Sequence, residues 1–512
     1  MIDLKDQRVL VLGLGASGLA MARWCARAGA LVTVVDTRQA PPNLVALKAD
    51  MPNAEFVQGL FDQSCVAGKD YAHVFKSPGL TPEEVAAALA LEDGKFVKPK
   101  GELDLFSSAL MQLKMDKGYS PQVIAITGTN GKTTVTSLTG QLVERAGKTV
   151  AVAGNIGPTL LDTLTERLGG DNMPDVWVLE LSSFQLNEVE GFEPSVAAVL
   201  NISQDHLDWH GNMQCYLAAK ARVFGTQGLM VLNRDDPAVM AFLPLPTPVS
   251  GGKERKARDR QEPRDYVTFG GAMPMRHGDF GIEEINGMAW LVRAQEADGA
   301  HRKRTEAPQE IFVQRLMPAD ALRIRGRHNA LNALTALALA TAAGCSLAPM
   351  LYGLREYRGE PHRVESIGIV NAVEFFDDSK GTNVGATIAA LNGLGPERSL
   401  VVILGGEGKG QDFTPLAAPV AKFVRTAVLI GRDAPKIREA LASTGVPLVD
   451  AASMLEAVAQ ANRAAHAGDA VLMSPACASF DMFDNYAHRA ALFGEAVQAL
   501  ANEAGAVIQG QT

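Results

Sequence analysis

The chain has 512 residues, 47% of them apolar, and a formal net charge of −9 at pH 7. This length predicts about three domains, and the negative charge argues against a protein that binds nucleic acid by general attraction. The five cysteines are scattered without a C-x-x-C pair, which is typical of buried thiols in a reducing compartment. Acidic residues near the start, in place of a basic segment, predict no signal peptide. We therefore expect a multidomain cytoplasmic enzyme.

The first 110 residues predict a Rossmann-like α/β domain. Its opening reads as a strand, a turn, a helix and a second strand that ends at Asp36. Gly13, Gly15 and Gly18 form the G-x-G-x-x-G spacing of units that bind dinucleotides such as NAD. The same geometry accommodates any nucleotide diphosphate, and a tight turn without a ligand also has it. The spacing alone leaves these three interpretations open.

An apolar strand from Ile124 runs directly into the loop GTNGKTT, which opens a predicted helix. The two glycines let backbone N–H groups face phosphate oxygens, the lysine supplies positive charge, and the next threonine can bind Mg²⁺. Only two residues separate the glycines, fewer than in the general phosphate-loop pattern, so a chance loop is the alternative. The predicted ATP-binding residues here are Gly128, Thr129, Asn130, Gly131, Lys132, Thr133 and Thr134.

Residues 111–359 predict a central ATP-binding domain. Its continuous apolar runs VIAIT, DVWVLEL and SVAAVLNI are typical of a parallel-rich sheet that is covered on both faces. Residues 251–315 interrupt this pattern with basic and acidic runs, which we interpret as a solvated loop or hairpin, or alternatively as a contact site for an acidic partner. The uncharged stretch 329–354 contains Gly344 and Pro349, and predicts two buried helices instead of a membrane span.

Acidic and imidazole side chains follow two of the central strands. Glu180 ends one strand, where a carboxylate beside a phosphate loop is suited to Mg²⁺. Asp205, His206, Asp208 and His210 follow the next strand. A metal or phosphate site and a set of structural residues both fit this cluster, but zinc does not, since H-E-x-x-H is absent. A lysine in the helix that follows, at position 220, could simply extend from an apolar face into solvent.

Residues 360–512 predict a second Rossmann-like domain whose strands are followed by polar loops. These loops read DDSKGTN, GGEGKGQD and SPACASFDMFDNY. Lysines and hydroxyl groups at the carboxyl edge of a parallel sheet suit a dicarboxylate and a nucleotide. Cys477 has no identifiable histidine partner, so we expect a buried thiol and not a nucleophile.

Several motifs together give a family resemblance. In chain order they are GTNGKTT, GNIG, ELSSFQL, NISQDHLDWHG, AAKARVF, GRHNALN, GEPHRVE and DDSKGTN. This order resembles the Mur ligase family, the ATP-dependent amide-forming enzymes of peptidoglycan precursor synthesis. GLGASG and SPACASFD make the chain most similar to the members that add D-glutamate to UDP-N-acetylmuramoyl-L-alanine. Two features depart from the family pattern, namely Tyr486 where phenylalanine is expected and the insertion 251–315.

The resemblance implies roles for individual residues. It implies that the UDP-linked acceptor is bound by Leu14, Ala16, Ser17, Asp36, Thr37, Arg38, Asn155, Ser182 and Gln185. It adds Asn329, Asn332, Arg363 and Asp378 to the ATP site. It implies that D-glutamate is bound by Lys380, Thr382, Lys409, Ser479 and Tyr486. It implies that Lys132, Glu180, His206 and Lys220 are catalytic, and that Mg²⁺ is held by Thr133, Glu180, His206 and a carbamate on Lys220.

The implied reaction activates the acceptor carboxylate as an acyl phosphate, which the D-glutamate amine then attacks. The implied cofactors are ATP and Mg²⁺, and we expect a monomer that binds no nucleic acid. Another Mur ligase or a folylpolyglutamate synthetase is the nearest alternative. A NAD-dependent oxidoreductase built on the first domain and an ATP-binding scaffold without activity are the others.

Overall fold

A computed structural model describes residues 2–66, 69–90, 97–187, 189–243, 264–296 and 311–505. Three sheets of parallel or mainly parallel strands follow one another along the chain, and helices cover them. This α/β architecture confirms the predicted fold class. Each helix of the described ranges is too short or too polar to cross a membrane.

The first sheet has four parallel strands in the order β3-β2-β1-β4. Its strands are β1 (Arg8–Leu12), β2 (Leu31–Asp36), β3 (Glu55–Gln58) and β4 (His73–Lys76). Its helices are α1 (Ala16–Arg27), α2 (Leu44–Asp50) and α3 (Pro82–Leu89), and α4 (Glu102–Lys117) leads to the next sheet. The glycine turn opens α1 as predicted, because Gly13 has a φ of 84° and a Cβ at Gly18 would lie 2.0 Å from the Gly13 carbonyl oxygen.

The second sheet has six parallel strands in the order β10-β9-β8-β5-β7-β6. Its strands are β5 (Gln122–Thr127), β6 (Val150–Gly154), β7 (Val176–Glu180), β8 (Val196–Val199), β9 (Leu229–Asn233) and β10 (Tyr266–Phe269). Its helices are α5 (Lys132–Arg145), α6 (Leu160–Gly169), α7 (Ser183–Leu186), α8 (Leu207–His210), α9 (Met213–Ala221) and α10 (Pro237–Met240). The phosphate loop therefore joins the central strand β5 to α5, as the sequence predicts.

The charged insertion contains more regular structure than we predicted. An antiparallel sheet follows β10, with strands β11 (Phe280–Ile285), β12 (Met288–Glu296) and β13 (Ile311–Pro318). The interpretation as a loop or hairpin is wrong for β10, which pairs with β9. The four residues of β10 are too few to show a periodic pattern in the sequence. The guanidinium of Arg264, just before β10, donates to the carbonyl of Gly225 at 2.9 Å and fixes the position of the chain where the strand begins. The basic runs at 253–263 and 301–306 lie outside the described residues.

Two long apolar helices follow, as predicted for the uncharged stretch. They are α11 (Arg327–Ala342) and α12 (Leu347–Glu356), and both pack on α5. The third sheet then has the order β14-β15-β19-β16-β17-β18, with only the β14–β15 pair antiparallel. Its strands are β14 (Glu365–Val370), β15 (Val373–Asp377), β16 (Leu400–Gly405), β17 (Val424–Ile430), β18 (Leu448–Asp450) and β19 (Ala470–Met473). Its helices are α13 (Val384–Leu394), α14 (Ala417–Phe423), α15 (Ala434–Leu441), α16 (Met454–Ala464) and α17 (Tyr486–Glu503).

One hydrophobic core continues from the first sheet into the second. It includes Val9 on β1, Phe106 on α4 and Trp177 on β7, all buried. The Trp177 ring meets the Phe106 ring edge to face at 5.1 Å, and its indole N–H donates to the Tyr119 hydroxyl at 2.9 Å. The helix α4 thus contributes to a hydrophobic core that the first and second sheets share.

We expect Trp177→Ala to lower the free energy of unfolding by about 3 to 5 kcal/mol, because it removes a fully buried aromatic ring from the shared core and leaves a cavity. Urea unfolding followed by circular dichroism measures the change. The control is Met111→Ala on the exposed side of α4, which should leave the unfolding midpoint unchanged. Equal stability of the two variants would contradict the shared core.

Candidate active site

The phosphate loop is held in a tight, preformed conformation. Gly128 and Gly131 have φ values of 156° and 83°, and a Cβ at either position would lie 2.9 Å from a neighbouring atom. For Gly131 that neighbour is the amide oxygen of Asn332, which is one of the predicted ATP residues. The Thr129 N–H donates to the Asn201 carbonyl at 2.9 Å, and this bond fixes the loop to the end of β8. The glycines are therefore required by close packing as well as by backbone geometry.

Lys132 folds back over the loop. Its ammonium donates to the carbonyl oxygens of Gly128 and Thr129, both at 2.9 Å. Burial lowers the pKa of Lys132, while the carboxylates of Glu180 and Asp205 act in the opposite direction. A cation that is bound only by carbonyl oxygens, at the start of a helix, is placed to meet an anion.

Lys220 lies beneath the same loop and does not extend into solvent. Its side chain is 1% exposed, and its amine donates to the Gly128 carbonyl at 2.8 Å and to the Thr127 hydroxyl at 3.3 Å. The amine also lies 4.7 Å from the centre of the Tyr216 ring. Burial, together with the nearby charge of Lys132, holds the pKa of Lys220 well below its usual value. The neutral amine is therefore favoured, and a neutral amine is the form that reacts as a nucleophile.

Glu180 is buried at the carboxyl end of β7. Its Oε1 accepts a hydrogen bond from the Asn155 amide at 2.8 Å, and the backbone N–H of Asn155 donates to the Glu180 carbonyl at 2.8 Å. Its Oε2 is buried without a hydrogen-bond partner in the described part of the chain. An orphaned carboxylate oxygen in this position is available to a cation.

His206 begins α8 in the left-handed backbone conformation, with a φ of 53°. Its Nε2 lies 3.6 Å from a carboxylate oxygen of Asp205, and its ring meets the Phe184 ring at 4.7 Å. Burial lowers the pKa of His206, and the charges of Lys132 and Lys409 lower it further. The imidazole is therefore neutral near pH 7 and can act as a ligand.

The third sheet contributes directly to the phosphate loop. The side-chain amides of Asn130 and Asn383 exchange hydrogen bonds at 3.2 and 3.0 Å, and the Asn383 amide also reaches Asp205 at 3.3 Å. The Arg363 guanidinium donates to the hydroxyl of Thr133. Predicted ATP residues of the central and C-terminal domains thus meet at one cleft.

The remaining predicted ATP residues flank this cleft. Asn332 donates to the side chain of Asn329 at 3.0 Å, one turn away on α11. Asp378 is buried and accepts a hydrogen bond from the Ser474 hydroxyl at 2.6 Å. Burial raises the pKa of Asp378 to about 7, although the Ser474 hydroxyl and Arg363 oppose the rise.

All five residues predicted to bind D-glutamate have described neighbours at the same edge of the third sheet. The Lys380 ammonium lies 3.7 Å from the centre of the Tyr486 ring, and the Lys409 ammonium lies 5.9 Å from that of Phe480. Although Lys380 is exposed, the walls of the cleft and the charge of Arg363 lower its pKa to about 8. Ser479 is buried and accepts backbone hydrogen bonds through its carbonyl. Thr382 is the fifth, and its N–H donates to the Lys380 carbonyl at 2.9 Å.

The predicted acceptor residues of the first domain surround the start of α1. Asp36 accepts hydrogen bonds from the Leu14 N–H at 2.7 Å and from the Arg38 guanidinium at 2.8 Å. Burial favours the neutral form of Asp36, but these hydrogen bonds outweigh it and lower the pKa to about 2. Thr37 is exposed, whereas Ala16 and Ser17 form the first turn of α1.

In the central domain, Ser182 and Gln185 hydrogen-bond to each other in a capping box at the start of α7. Their side chains therefore have a structural role, and ligand contact remains a prediction for both.

Sequence reasoning missed two polar interactions behind the loops of the third sheet, one buried and one half-buried. The guanidinium of Arg489 is fully buried and donates to the carbonyls of Cys477 at 3.1 Å and Ser379 at 2.8 Å. The Nδ1 of His362 lies 2.6 Å from a carboxylate oxygen of Asp377. Arg489 and Ser379 lie far apart in the chain, and a lone arginine in a helix gives no sequence signal for such a role. Cys477 is a buried thiol, as predicted.

The residues predicted to hold Mg²⁺ fit a hard cation. The orphaned Glu180 oxygen, the Thr133 hydroxyl and the neutral His206 imidazole supply suitable donor atoms. Lys220 fits only after its amine becomes an anionic oxygen donor, since an ammonium would repel the ion.

Models of known families match three parts of the chain. They are the Mur ligase MurD-like N-terminal domain at residues 7–98, the Mur ligase middle domain at 126–270 and the Mur ligase glutamate ligase domain at 362–477. The chain belongs to the Mur ligase family. The middle-domain match includes the phosphate loop, and the glutamate-ligase match includes the DDSKGTN and GGEGKGQD loops.

Curated Mur ligases resemble the chain along almost its whole length. A UDP-N-acetylmuramoylalanine--D-glutamate ligase of Albidiferax ferrireducens is 65% identical over 507 residues, which cover 99% of each chain. An enzyme of the same name from a Polaromonas species is 54% identical and covers 99% of this chain and 100% of its own.

Solved Mur ligases share the fold at low sequence identity. The MurF ligase of Thermotoga maritima in complex with ADP has a TM-score of 0.56 at 15% identity, and covers 98% of this chain and 96% of its own. The UDP-N-acetylmuramate-alanine ligase MurC of Thermotoga maritima has a TM-score of 0.54 at 19% identity, and covers 96% and 100%. These matches confirm the family architecture.

We expect Lys132→Ala to weaken ATP binding by about 100-fold, because the Lys132 ammonium is the positive charge of the phosphate loop that attracts the phosphate groups of ATP. Isothermal titration calorimetry with ATP measures the loss. The control is Lys114→Ala on α4, which should bind ATP as the unmodified chain does. Unchanged ATP affinity in Lys132→Ala would contradict the assignment of the loop.

Proposed function

We propose that the chain is an ATP-dependent ligase that joins D-glutamate to UDP-N-acetylmuramoyl-L-alanine during peptidoglycan precursor synthesis. The observation that carries the proposal is one cleft in which the phosphate loop, the Glu180 carboxylate and the lysine-rich loops of the third sheet meet. The names of the 65% and 54% identical relatives support the choice of acceptor and amino acid.

The first step of the proposed reaction is phosphoryl transfer. The acceptor carboxylate attacks the γ-phosphoryl group of ATP, and the products are an acyl phosphate and ADP. Lys132 stabilises the negative charge on the transferring phosphoryl oxygens. Its present carbonyl partners, on Gly128 and Thr129, would give way to stronger anionic ones.

Mg²⁺ is proposed at the side chains of Thr133, Glu180, His206 and Lys220, where it would neutralise phosphate charge when bound. The lowered pKa of Lys220 supports carbamate formation, because the neutral amine can attack CO₂ and release a proton. The product is an anionic oxygen donor in place of a neutral amine. Its negative charge would attract the Lys132 ammonium.

The second step is amide formation. We propose that Lys380 and Lys409 bind the carboxylates of D-glutamate, and that Thr382, Ser479 and Tyr486 orient it. The D-glutamate amine attacks the acyl phosphate carbon and loses a proton, and inorganic phosphate leaves. The Tyr486 ring over the Lys380 ammonium holds that lysine toward the cleft.

The amino acid that the enzyme adds to the acceptor distinguishes this function from that of another Mur ligase. The purified protein is incubated with ATP, Mg²⁺ and UDP-N-acetylmuramoyl-L-alanine, with D-glutamate, L-lysine or D-alanyl-D-alanine added separately. We expect sustained ADP release and a new amide product with D-glutamate alone. Turnover with another amino acid in place of D-glutamate would contradict the proposal.

An NAD-dependent oxidoreductase is the competing function from another class. It would leave the phosphate loop and the orphaned Glu180 oxygen without a task. NAD binding with a dissociation constant below that of UDP-N-acetylmuramoyl-L-alanine would favour it. Cytoplasmic location and the monomeric state remain predictions.

We expect kcat/KM for D-glutamate to fall as the pH rises above about 8. The pKa of Lys380 is lowered to about 8. The ammonium is charged below this pH and attracts carboxylate, whereas the neutral amine above it does not. In Lys380→Arg the side chain stays charged, so the decline should move to higher pH. An unshifted profile in Lys380→Arg would contradict the role of Lys380.

A further inference from the structure

Glu102 is a buried acid at the joint between the first and second sheets. It is the first residue of α4 and is 2% exposed. The residue two positions earlier, Lys100, pairs with β4 by backbone hydrogen bonds, from its N–H to the Val74 carbonyl and from the Lys76 N–H to its carbonyl, both at 2.9 Å. Glu102 therefore lies at the point where the chain leaves the first sheet and begins α4.

The carboxyl group of Glu102 also reaches the second sheet. Its Oε1 accepts a hydrogen bond from the backbone N–H of Leu161, in the first turn of α6, at 3.0 Å. The loop before α6 carries Asn155, whose amide holds Glu180. Glu102 thus fixes the start of the helix that follows a loop of the active site.

The other oxygen of Glu102 has no hydrogen bond of ordinary geometry among the described residues. The hydroxyl of Ser17, in the first turn of α1, lies close enough to influence ionisation. Helices α1, α4 and α6 pack against one another at this point. Glu102 also lines a small polar pocket together with Lys76, Lys100 and Gln185. A buried carboxyl group, with one oxygen unpartnered among the described residues, therefore lies where three helices pack together and beside a polar pocket.

We propose that Glu102 is a positioning residue for the UDP-linked acceptor: it joins the glycine turn to the start of α6, and it takes up a proton from solvent when the diphosphate occupies that turn. This inference rests on the proposed function. The diphosphate would bring negative charge to the start of α1, next to a carboxyl group that has lost most of its hydration. Protonation of the free oxygen removes the repulsion and supplies an O–H donor at the same place.

The electrostatic surroundings agree with this role. Burial raises the pKa of Glu102 to about 7, although the Leu161 N–H and the nearby Ser17 hydroxyl act in the opposite direction. Asp162 of α6 adds to the rise, and the Arg23 guanidinium of α1 lies 3.4 Å from Asp162. Lys76 and Lys100 line the same pocket from the side of the first sheet. The proton on Glu102 is therefore exchanged near physiological pH.

The sign of the pH dependence follows. Bound diphosphate raises the pKa of Glu102 further, so the acceptor binds most tightly when Glu102 is protonated. Affinity should be highest below about pH 7 and should fall by up to about tenfold per pH unit above it. Binding at about pH 7.5 should be accompanied by proton uptake from the buffer.

The test is isothermal titration calorimetry of UDP-N-acetylmuramoyl-L-alanine, in two buffers of different ionisation enthalpy, between about pH 6 and about pH 8.5. In Glu102→Gln the side chain is neutral at every pH but keeps the oxygen that accepts from Leu161. We expect this variant to bind the acceptor with pH-independent affinity and without proton uptake. In Glu102→Ala both oxygens are lost, and we expect about tenfold weaker binding at every pH.

The matched control is Asp104→Asn, in the same turn of α4. Asp104 accepts hydrogen bonds from the N–H groups of Gly101 at 2.8 Å and Glu190 at 3.0 Å, away from Ser17. This variant should keep the proton uptake of the unmodified chain. Proton uptake that persists in Glu102→Gln would overturn the inference, and this variant decides the matter even if Glu102→Ala fails to fold. Absence of acceptor binding by the unmodified chain would instead overturn the proposed function.

Discussion

Buried positive charge around the phosphate loop is the constraint on which the rest of the site depends. Lys132 and Lys220 both donate to the carbonyl of Gly128, although Lys220 is almost fully buried. Positive charge on both amines would cause repulsion at one backbone oxygen, and carbonyl groups compensate only part of the desolvation, which favours the neutral form of Lys220. The negative charges of the Glu180 and Asp205 carboxylates partly compensate positive charge on these lysines. The arrangement is suited to a site that receives a polyanion and a divalent metal ion.

Contact between the second and third sheets makes this site a shared one. Asn383 caps α13 and also exchanges hydrogen bonds with Asn130 of the phosphate loop. Arg363, two residues before β14, donates to the hydroxyl of Thr133. Groups predicted to bind the nucleotide thus come from both domains, so the cleft would exclude water only when the domains are together. Such closure would bring the lysine-rich loops to the proposed acyl phosphate.

The sequence predicts the local features of the structure well and the long-range ones poorly. The apolar run that ends at Glu180 and the loop around Lys132 have strong patterns, and both lie where they are predicted. Strand β10 is too short to be recognised before its partner β9 is known. Arg489 and Glu102 look like ordinary helix residues in the sequence, because their partners lie far away in the chain. For Lys220, composition favours a solvated side chain, and only the fold reveals its burial.

The most direct test of the account is a crystal structure with a non-hydrolysable ATP analogue, Mg²⁺ and UDP-N-acetylmuramoyl-L-alanine. The account predicts that the triphosphate lies on residues 128–134 with Lys132 turned from the Gly128 carbonyl to phosphate. It also predicts the uridine diphosphate at the start of α1 and the metal beside Glu180. Adenine at the glycine turn of α1, with the phosphate loop left without nucleotide, would contradict it.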